Sequence, residues 1–162
     1  MTAGRPSVRP LVDADRSWAE RYLIARWGSA RVAAHGVLFH PAHLDGFVAE
    51  LDGRRAGLAT YAIDGDACEL VTIDATPQGA GIGTALVEGV ADAARAAGCT
   101  RMHVTTTNEN EQAQGWYGRR GFALVAVHAG GVDRARELKP EIPPTDDRGI
   151  PIRDELEFER RL

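Results

Sequence analysis

The chain has 162 residues, of which 44% are hydrophobic and 26% charged, so one domain over residues 1–162 with its own core is expected. The formal net charge of −4 and the scattered basic residues exclude the basic footprint of a nucleic-acid-binding protein. No run approaches the roughly 18 apolar residues of a membrane helix, and the first ten residues lack the apolar stretch of a signal peptide. We therefore expect a cytoplasmic protein.

The N-terminal third is predicted to hold a strand, a helix and a less regular segment. The strand covers residues 7–12. The helix follows, with Asp13 and Asp15 as its N-terminal caps and Gly28 at its end. Residues 29–46 are predicted to form a strand fragment around Val37 and a loop.

Three strands are predicted next, over residues 47–51, 56–63 and 67–74. The dipeptides Asp52-Gly53 and Asp64-Gly65 separate them, and an Asp-Gly pair between apolar runs is a strong signal for a two-residue hairpin turn. The segment is therefore predicted to be an antiparallel meander.

The C-terminal half alternates helices and strands. A helix with apolar residues every four positions runs from Ile82 to Gly98, followed by a strand (102–106), a helix (111–120), a strand (122–128), a small helix (132–138) and a last strand from Ile152. In the last strand, Glu155, Glu157 and Glu159 alternate with apolar residues and are predicted to form a solvated or edge-protecting face. The strands on either side of the helix at 82–98 are expected to be parallel neighbours. The fold class is thus α/β, with a mixed, mostly antiparallel sheet and helices on both faces.

A glycine-rich segment, Gln78–Thr84, opens the helix at Ile82. Unpaired N–H groups and the positive end of the helix dipole attract phosphate at such a position. A P-loop is excluded because the segment has no lysine, and Leu86 stands where a dinucleotide-binding fingerprint needs a small residue. On the glycines alone, a flexible loop without a ligand remains the alternative.

A second pattern follows one strand later. The two patterns in order are Gln78-x-x-Gly81-x-Gly83 and Asn110-x-x-Ala113-x-x-x-Tyr117-x-x-x-Gly121-Phe122. Together they resemble the GNAT superfamily of acyl-CoA-dependent N-acetyltransferases. That resemblance implies a V-shaped splay between two central parallel strands. The stretch from residue 139 to residue 155 resembles a small bacterial subgroup whose acceptor is undefined.

The resemblance implies acetyl-CoA as the acetyl donor. Its pantetheine arm is expected to pair with main chain at residues 71–74, and its diphosphate to lie on the N–H groups of residues 79–84. A free N–H near Val71 or Thr72 is the expected oxyanion donor. The implied cofactor-binding residues are Val71, Thr72, Ile73, Gln78, Gly79, Ala80, Gly81, Ile82, Gly83, Thr84, Asn110, Ala113 and Tyr117.

The resemblance also suggests residues for catalysis and acceptor binding. Tyr117 matches a tyrosine that protonates the departing thiolate, although a core aromatic is the plain alternative. Asn110 alone would be an ordinary helix N-cap. Glu69 is the candidate general base, with a solvent-facing strand carboxylate as an equal alternative. Trp27 and His35 are candidates for the acceptor site, which the first helix and its following loop cover in this fold.

A metal site is not expected. His40 and His43 are separated by a proline and an alanine and have no third ligand at helical spacing. Cys68 and Cys99 stand 31 positions apart without a CxxC motif, which predicts neither a zinc knuckle nor a disulfide framework.

The expected function is transfer of an acetyl group from acetyl-CoA to an amine of a small-molecule acceptor, by direct attack in a ternary complex. The alternatives are acetylation of a protein N-terminus or lysine, and a non-catalytic acyl-CoA-binding sensor. Neither nucleic acid nor a membrane is an expected partner, and a homodimer is left open.

Overall fold

The computed structural model describes residues 4–162, which form nine strands and four helices. The strands are β1 (Ser7–Pro10), β2 (Val32–Ala34), β3 (Val37–Phe39), β4 (Asp45–Leu51), β5 (Arg54–Asp64), β6 (Ala67–Ala75), β7 (Arg101–Thr107), β8 (Ala123–His128) and β9 (Glu155–Arg161). The helices are α1 (Arg16–Trp27), α2 (Ile82–Ala96), α3 (Glu111–Gly118) and α4 (Gly131–Leu138). Short 3-10 turns cover Asp13–Asp15 and Pro41–His43.

Seven strands form one sheet in the order β1-β4-β5-β6-β7-β9-β8, and β2 and β3 form a separate hairpin. The pairs β1–β4, β4–β5, β5–β6 and β8–β9 are antiparallel. The pair β6–β7 is parallel. The predicted mixed, mostly antiparallel sheet is therefore confirmed.

The chain divides into two compact units. The first contains the residues up to Ala30, residues 41–102 and Leu162, and the second contains residues 31–40 and 103–161. The expectation of one domain over residues 1–162 stays a prediction.

The sheet of the first unit has a helix on each face. Val48 and Leu58 are buried in one cluster with Leu23 of α1. Gly57 faces the other way, because successive strand residues point to opposite faces, and a Cβ there would lie 3.0 Å from the side chain of Ile82 on α2. The predicted apolar stripe of α2 is fully buried. Burial of α2 against the sheet thus fixes the end of the loop that joins β6 to α2.

Both predicted hairpin turns of the meander are present. Leu51 pairs with Arg54 across Asp52 and Gly53, whose φ angles of 52° and 76° match a type I′ turn. Asp64 pairs with Ala67 across a loop in which Gly65 has a φ of 62°.

The start of α1 differs from the prediction. Asp15 makes no side-chain cap to α1. Its buried carboxylate instead accepts hydrogen bonds from Arg9 at 2.7 and 2.8 Å and from the N–H of Val12 at 2.9 Å, and it pairs with Arg55 at 3.2 Å. The predicted end at Gly28 is confirmed, with a φ of 79° and an N–H donated to Ile24.

The last strand of the second unit also differs. It begins at Glu155, because the side chain of Asn108 accepts hydrogen bonds from the N–H groups of Arg153 and Asp154, both at 2.9 Å, and holds that segment outside the ladder. β9 lies between β7 and β8, so it is not a sheet edge. Glu155 is only 3% exposed and accepts the N–H of His35 at 2.9 Å. The solvated, edge-protecting role predicted for this glutamate is therefore wrong.

Candidate functional site

The glycine loop connects β6 to α2 in the first unit. Gly79 and Gly81 have φ angles of 80° and 78°, a left-handed conformation that costs other residues about 1–2 kcal/mol. A Cβ added at either glycine would have no atom within 4 Å. At these two positions the backbone therefore faces open space.

The loop ends at the N-terminus of a 15-residue helix, with Gly81 at the N-cap. The first hydrogen bond of the helix runs from the N–H of Ala85 to the carbonyl of Gly81 at 3.1 Å. The N–H groups of Ile82 and Gly83 lie before this bond, in the first turn, where a helix offers no carbonyl four residues earlier and the helix dipole is positive. Such an arrangement can hold a phosphate or diphosphate group.

A β-bulge interrupts the middle of β6, the strand that leads to the loop. Thr72 pairs with Thr60 of β5 but Leu70 pairs with Tyr61, so Val71 is an extra residue without a partner on β5. The hydroxyl groups of Thr60 and Thr72, both buried, are 2.7 Å apart and fix the register beside the bulge. The irregularity lies where a free N–H was predicted as the oxyanion donor.

Glu69 lies on β6 two residues before the bulge. It is 8% exposed and stands between the buried residues Cys68 and Leu70. The alternative of a solvent-facing strand carboxylate is therefore wrong. Its role as a general base stays a prediction.

The end of β6 is bound to α1 through Asp74. The carboxylate of Asp74 accepts hydrogen bonds from the Tyr22 hydroxyl at 2.9 Å, Arg26 Nε at 2.8 Å and Trp27 Nε1 at 2.7 Å. Trp27, the predicted acceptor-site residue, thus has its indole N–H engaged while 41% of the residue is exposed.

Sequence reasoning missed the side-chain contacts of Asp74 with Tyr22 and Arg26. The i, i+4 spacing of Tyr22 and Arg26 places them on one helix face, but their partner lies about 50 positions away in the chain. Nothing local in the sequence signals that pairing.

In the second unit, Asn110 is the N-cap of α3, and its side chain accepts the N–H of Ala113 at 3.2 Å. Tyr117 is 8% exposed, and its ring packs against Phe122 and Phe158, with centroid separations of 5.7 and 6.4 Å. Burial raises the pKa of the Tyr117 phenol. The ring is a core aromatic, and its phenol stays protonated at neutral pH.

His35 lies in the turn of the β2–β3 hairpin of the second unit, with a φ of 39°. Its side chain is exposed, and its backbone N–H is donated to Glu155. Its predicted role in acceptor binding stays a prediction.

Across residues 4–162, no group of three or more His, Cys, Asp or Glu side chains is placed to hold a metal ion. Within the same part of the chain, no helix is long and apolar enough to cross a membrane.

Cys68 and Cys99 are buried free thiols, and burial raises the pKa of Cys68 to about 12.

The model of the acetyltransferase (GNAT) family matches residues 12–122. Two uncharacterized proteins of Bacillus subtilis (strain 168) are similar to the chain. YdhI is 40% identical over 140 residues, covering 86% of this chain and 88% of its own, and YxbD is 33% identical over 157 residues, covering 96% and 99%. A GNAT family acetyltransferase from Elizabethkingia anophelis, solved with acetyl-CoA bound, has a similar fold, with a TM-score of 0.67 at 16% identity over 98% of this chain and 99% of that one.

Proposed function

Because the chain belongs to the acetyltransferase (GNAT) family, we propose that it transfers the acetyl group of acetyl-CoA to an amine of a small-molecule acceptor by direct attack in a ternary complex. It is an acetyltransferase, and acetyl-CoA is its donor. When bound, acetyl-CoA supplies an activated acetyl thioester.

The proposal rests above all on the open glycine loop. The diphosphate would be held by the N–H groups of residues 79–84, and the left-handed Gly79 and Gly81 leave it room. The backbone of residues 71–74 would hold the pantetheine arm. In the second unit, Asn110, Ala113 and Tyr117 of the α3 motif are the remaining proposed contacts.

The chemistry needs three groups from the chain. A backbone N–H at the Val71 bulge would hold the oxyanion that develops when the amine attacks, and such donors contribute roughly 3 kcal/mol in other enzymes. The amine arrives protonated, and Glu69, directly or through a water relay, would take its proton. The Tyr117 hydroxyl would donate a proton to the departing thiolate as the carbon–sulfur bond breaks.

A cationic acceptor agrees with the formal net charge of −4. The acceptor class is tested by free-thiol release from acetyl-CoA in the presence of small amines, and in parallel of peptides with a free N-terminus or a lysine. Thiol release with small amines is the expected result. Release with peptides alone would establish a protein acetyltransferase instead, and saturable binding without any release would indicate a sensor.

A further inference from the structure

Asp74 and the three α1 side chains that bind it form what we name the Asp74 clamp: Tyr22, Arg26, Trp27 and Asp74. We infer that Asp74 is a positioning residue, which through this clamp fixes the glycine loop for the diphosphate of acetyl-CoA. The inference rests on the proposed function and adds a determinant of cofactor affinity that lies outside the loop.

The clamp has three donors and one acceptor group. Both carboxylate oxygens of Asp74 are used, Oδ1 by Tyr22 and Arg26 and Oδ2 by Trp27, at 2.7 to 2.9 Å. The side chain of Asp74 is only 12% exposed. All three donors come from the last six residues of α1, so one helix end holds one point on β6.

That point lies at the entrance to the loop, since Asp74 is four residues before Gln78. Burial raises the pKa of Tyr22, and the side chain of Thr76, close to its hydroxyl, acts to lower it. The N–H of Thr76 is donated to the carbonyl of Ala56 at 2.8 Å. The exposed segment after Thr76 therefore runs between this anchor and Ile82, the buried first residue of α2.

The hydrophobic core already holds α1 in place. Ala19 and Leu23 are buried on the sheet with Val48 and Leu58. A polar clamp at the partly exposed end of the helix adds little to stability, because solvent screens such ion pairs. The clamp instead fixes the geometry of the residues that follow β6. Because a preorganised site binds its ligand more tightly, this fixed geometry is expected to raise the affinity for acetyl-CoA.

Charge makes the test decisive. A carboxylate beside a diphosphate site repels the ligand, so removing the negative charge of Asp74, and leaving the Arg26 cation without it, would by itself tighten binding. Loss of the clamp has the opposite effect. The direction of the change in Asp74→Asn therefore separates positioning from electrostatics.

The experiment compares the full-length wild type, Asp74→Asn and Tyr22→Phe, with Asp15→Asn as the matched control. Asp15 is also a buried carboxylate of the first unit bound by arginines, but it lies at the start of α1. Folding of each variant is checked by circular dichroism. Titration calorimetry then gives the acetyl-CoA dissociation constant, and steady-state kinetics give KM and kcat.

We expect Asp74→Asn to raise the Kd and KM for acetyl-CoA about tenfold with kcat within about twofold, and Tyr22→Phe to act in the same direction more weakly. Asp15→Asn is expected to keep the wild-type Kd although it lowers stability. Unchanged or tighter binding by both clamp variants would overturn the inference and leave the proposed function intact. Absence of acetyl-CoA binding by the wild type would instead remove the proposed function and the inference with it.

Discussion

Tyr117 has two properties that its proposed role as a proton donor requires. Its ring is fixed by packing, and burial raises the pKa of its phenol, so the hydroxyl stays protonated at neutral and moderately alkaline pH. A raised pKa in the folded state predicts that Tyr117 causes no alkaline decline in kcat below about pH 10, the ordinary pKa of tyrosine.

Tyr117→Phe is expected to lower kcat about 100-fold and to leave the acetyl-CoA Kd unchanged, because only the transferable proton is lost. The control is Tyr61→Phe, which removes a phenol of β5 whose pKa is also raised by burial. Thiol-release kinetics and calorimetry of the two variants measure the effect. Wild-type turnover by Tyr117→Phe would show that another group protonates the thiolate.

Asp15 predicts a pH-dependent contribution to stability. Its hydrogen bonds from Arg9 hold the pKa of its carboxyl well below the usual range. A group whose pKa is lowered by folding stabilises the fold above its unfolded pKa of about 3.9, and that contribution is lost as the pH falls. Asp15→Asn should therefore reduce the unfolding free energy by about 1–2 kcal/mol at pH 7, a value discounted because Arg9 is partly exposed.

Urea unfolding of wild type and Asp15→Asn at pH 7 and pH 3 measures this contribution. The difference between the two proteins should narrow on acidification. A difference that is constant or larger at pH 3 would contradict the assignment.

For single residues, the sequence predicted which side chains carry useful chemistry better than it predicted whether those side chains are buried. It proposed Tyr117 and Glu69 from a motif and a position, but it left Glu69 equally open as a surface carboxylate. It also placed Glu155 on a solvated face. Burial of a charged strand residue depends on neighbours far away in the chain, here the His35 hairpin turn for Glu155, and no periodicity within one strand reports them.

The helix α2 carries a left-handed glycine beside each end. Gly81 precedes its first turn and Gly98 follows its last, with φ angles of 78° and 87°, and an added Cβ would meet no atom within 4 Å at either position. Substitution of either glycine is therefore expected to strain the backbone in the same way. Only Gly81 is proposed to lie against the ligand.

Gly81→Ala and Gly98→Ala should each lower the unfolding free energy by about 1–2 kcal/mol. Only Gly81→Ala should also weaken acetyl-CoA binding, by more than about tenfold, because its methyl group and any shift of the backbone fall on the loop proposed to bind the diphosphate. Thermal unfolding and calorimetric titration of both variants check this. Equal loss of affinity in the two variants would mean that general destabilisation, and not the loop, controls binding.

Elements with strong local signals were predicted correctly from the sequence. The Asp-Gly turns, the four-residue apolar spacing of α2 and the stop at Gly28 all match the structure. The three-residue strand β2 was missed, because so short a strand depends on pairing with β3 and on contact with α4. The bulge at Val71 could not be predicted from the sequence either, because the register depends on how two strands pair.

At the scale of the whole molecule, the order of elements and two short motifs are enough to indicate the family. The match of the family model to residues 12–122 and the seven-strand sheet with its parallel pair agree with that assignment. The acceptor is beyond the sequence, because small-molecule and protein acetylation use the same donor and the same chemistry.

The central claim is that the glycine loop binds the diphosphate of CoA. Calorimetric titration of the wild-type protein with acetyl-CoA tests it most directly, and thermal unfolding is measured on the same samples. Saturable binding at one site per chain is predicted. At about 100 times the Kd, ligand binding should stabilise the protein by about 2.7 kcal/mol, which raises its Tm by roughly 5–10 °C. No heat of binding and no change in Tm at millimolar acetyl-CoA would contradict the claim.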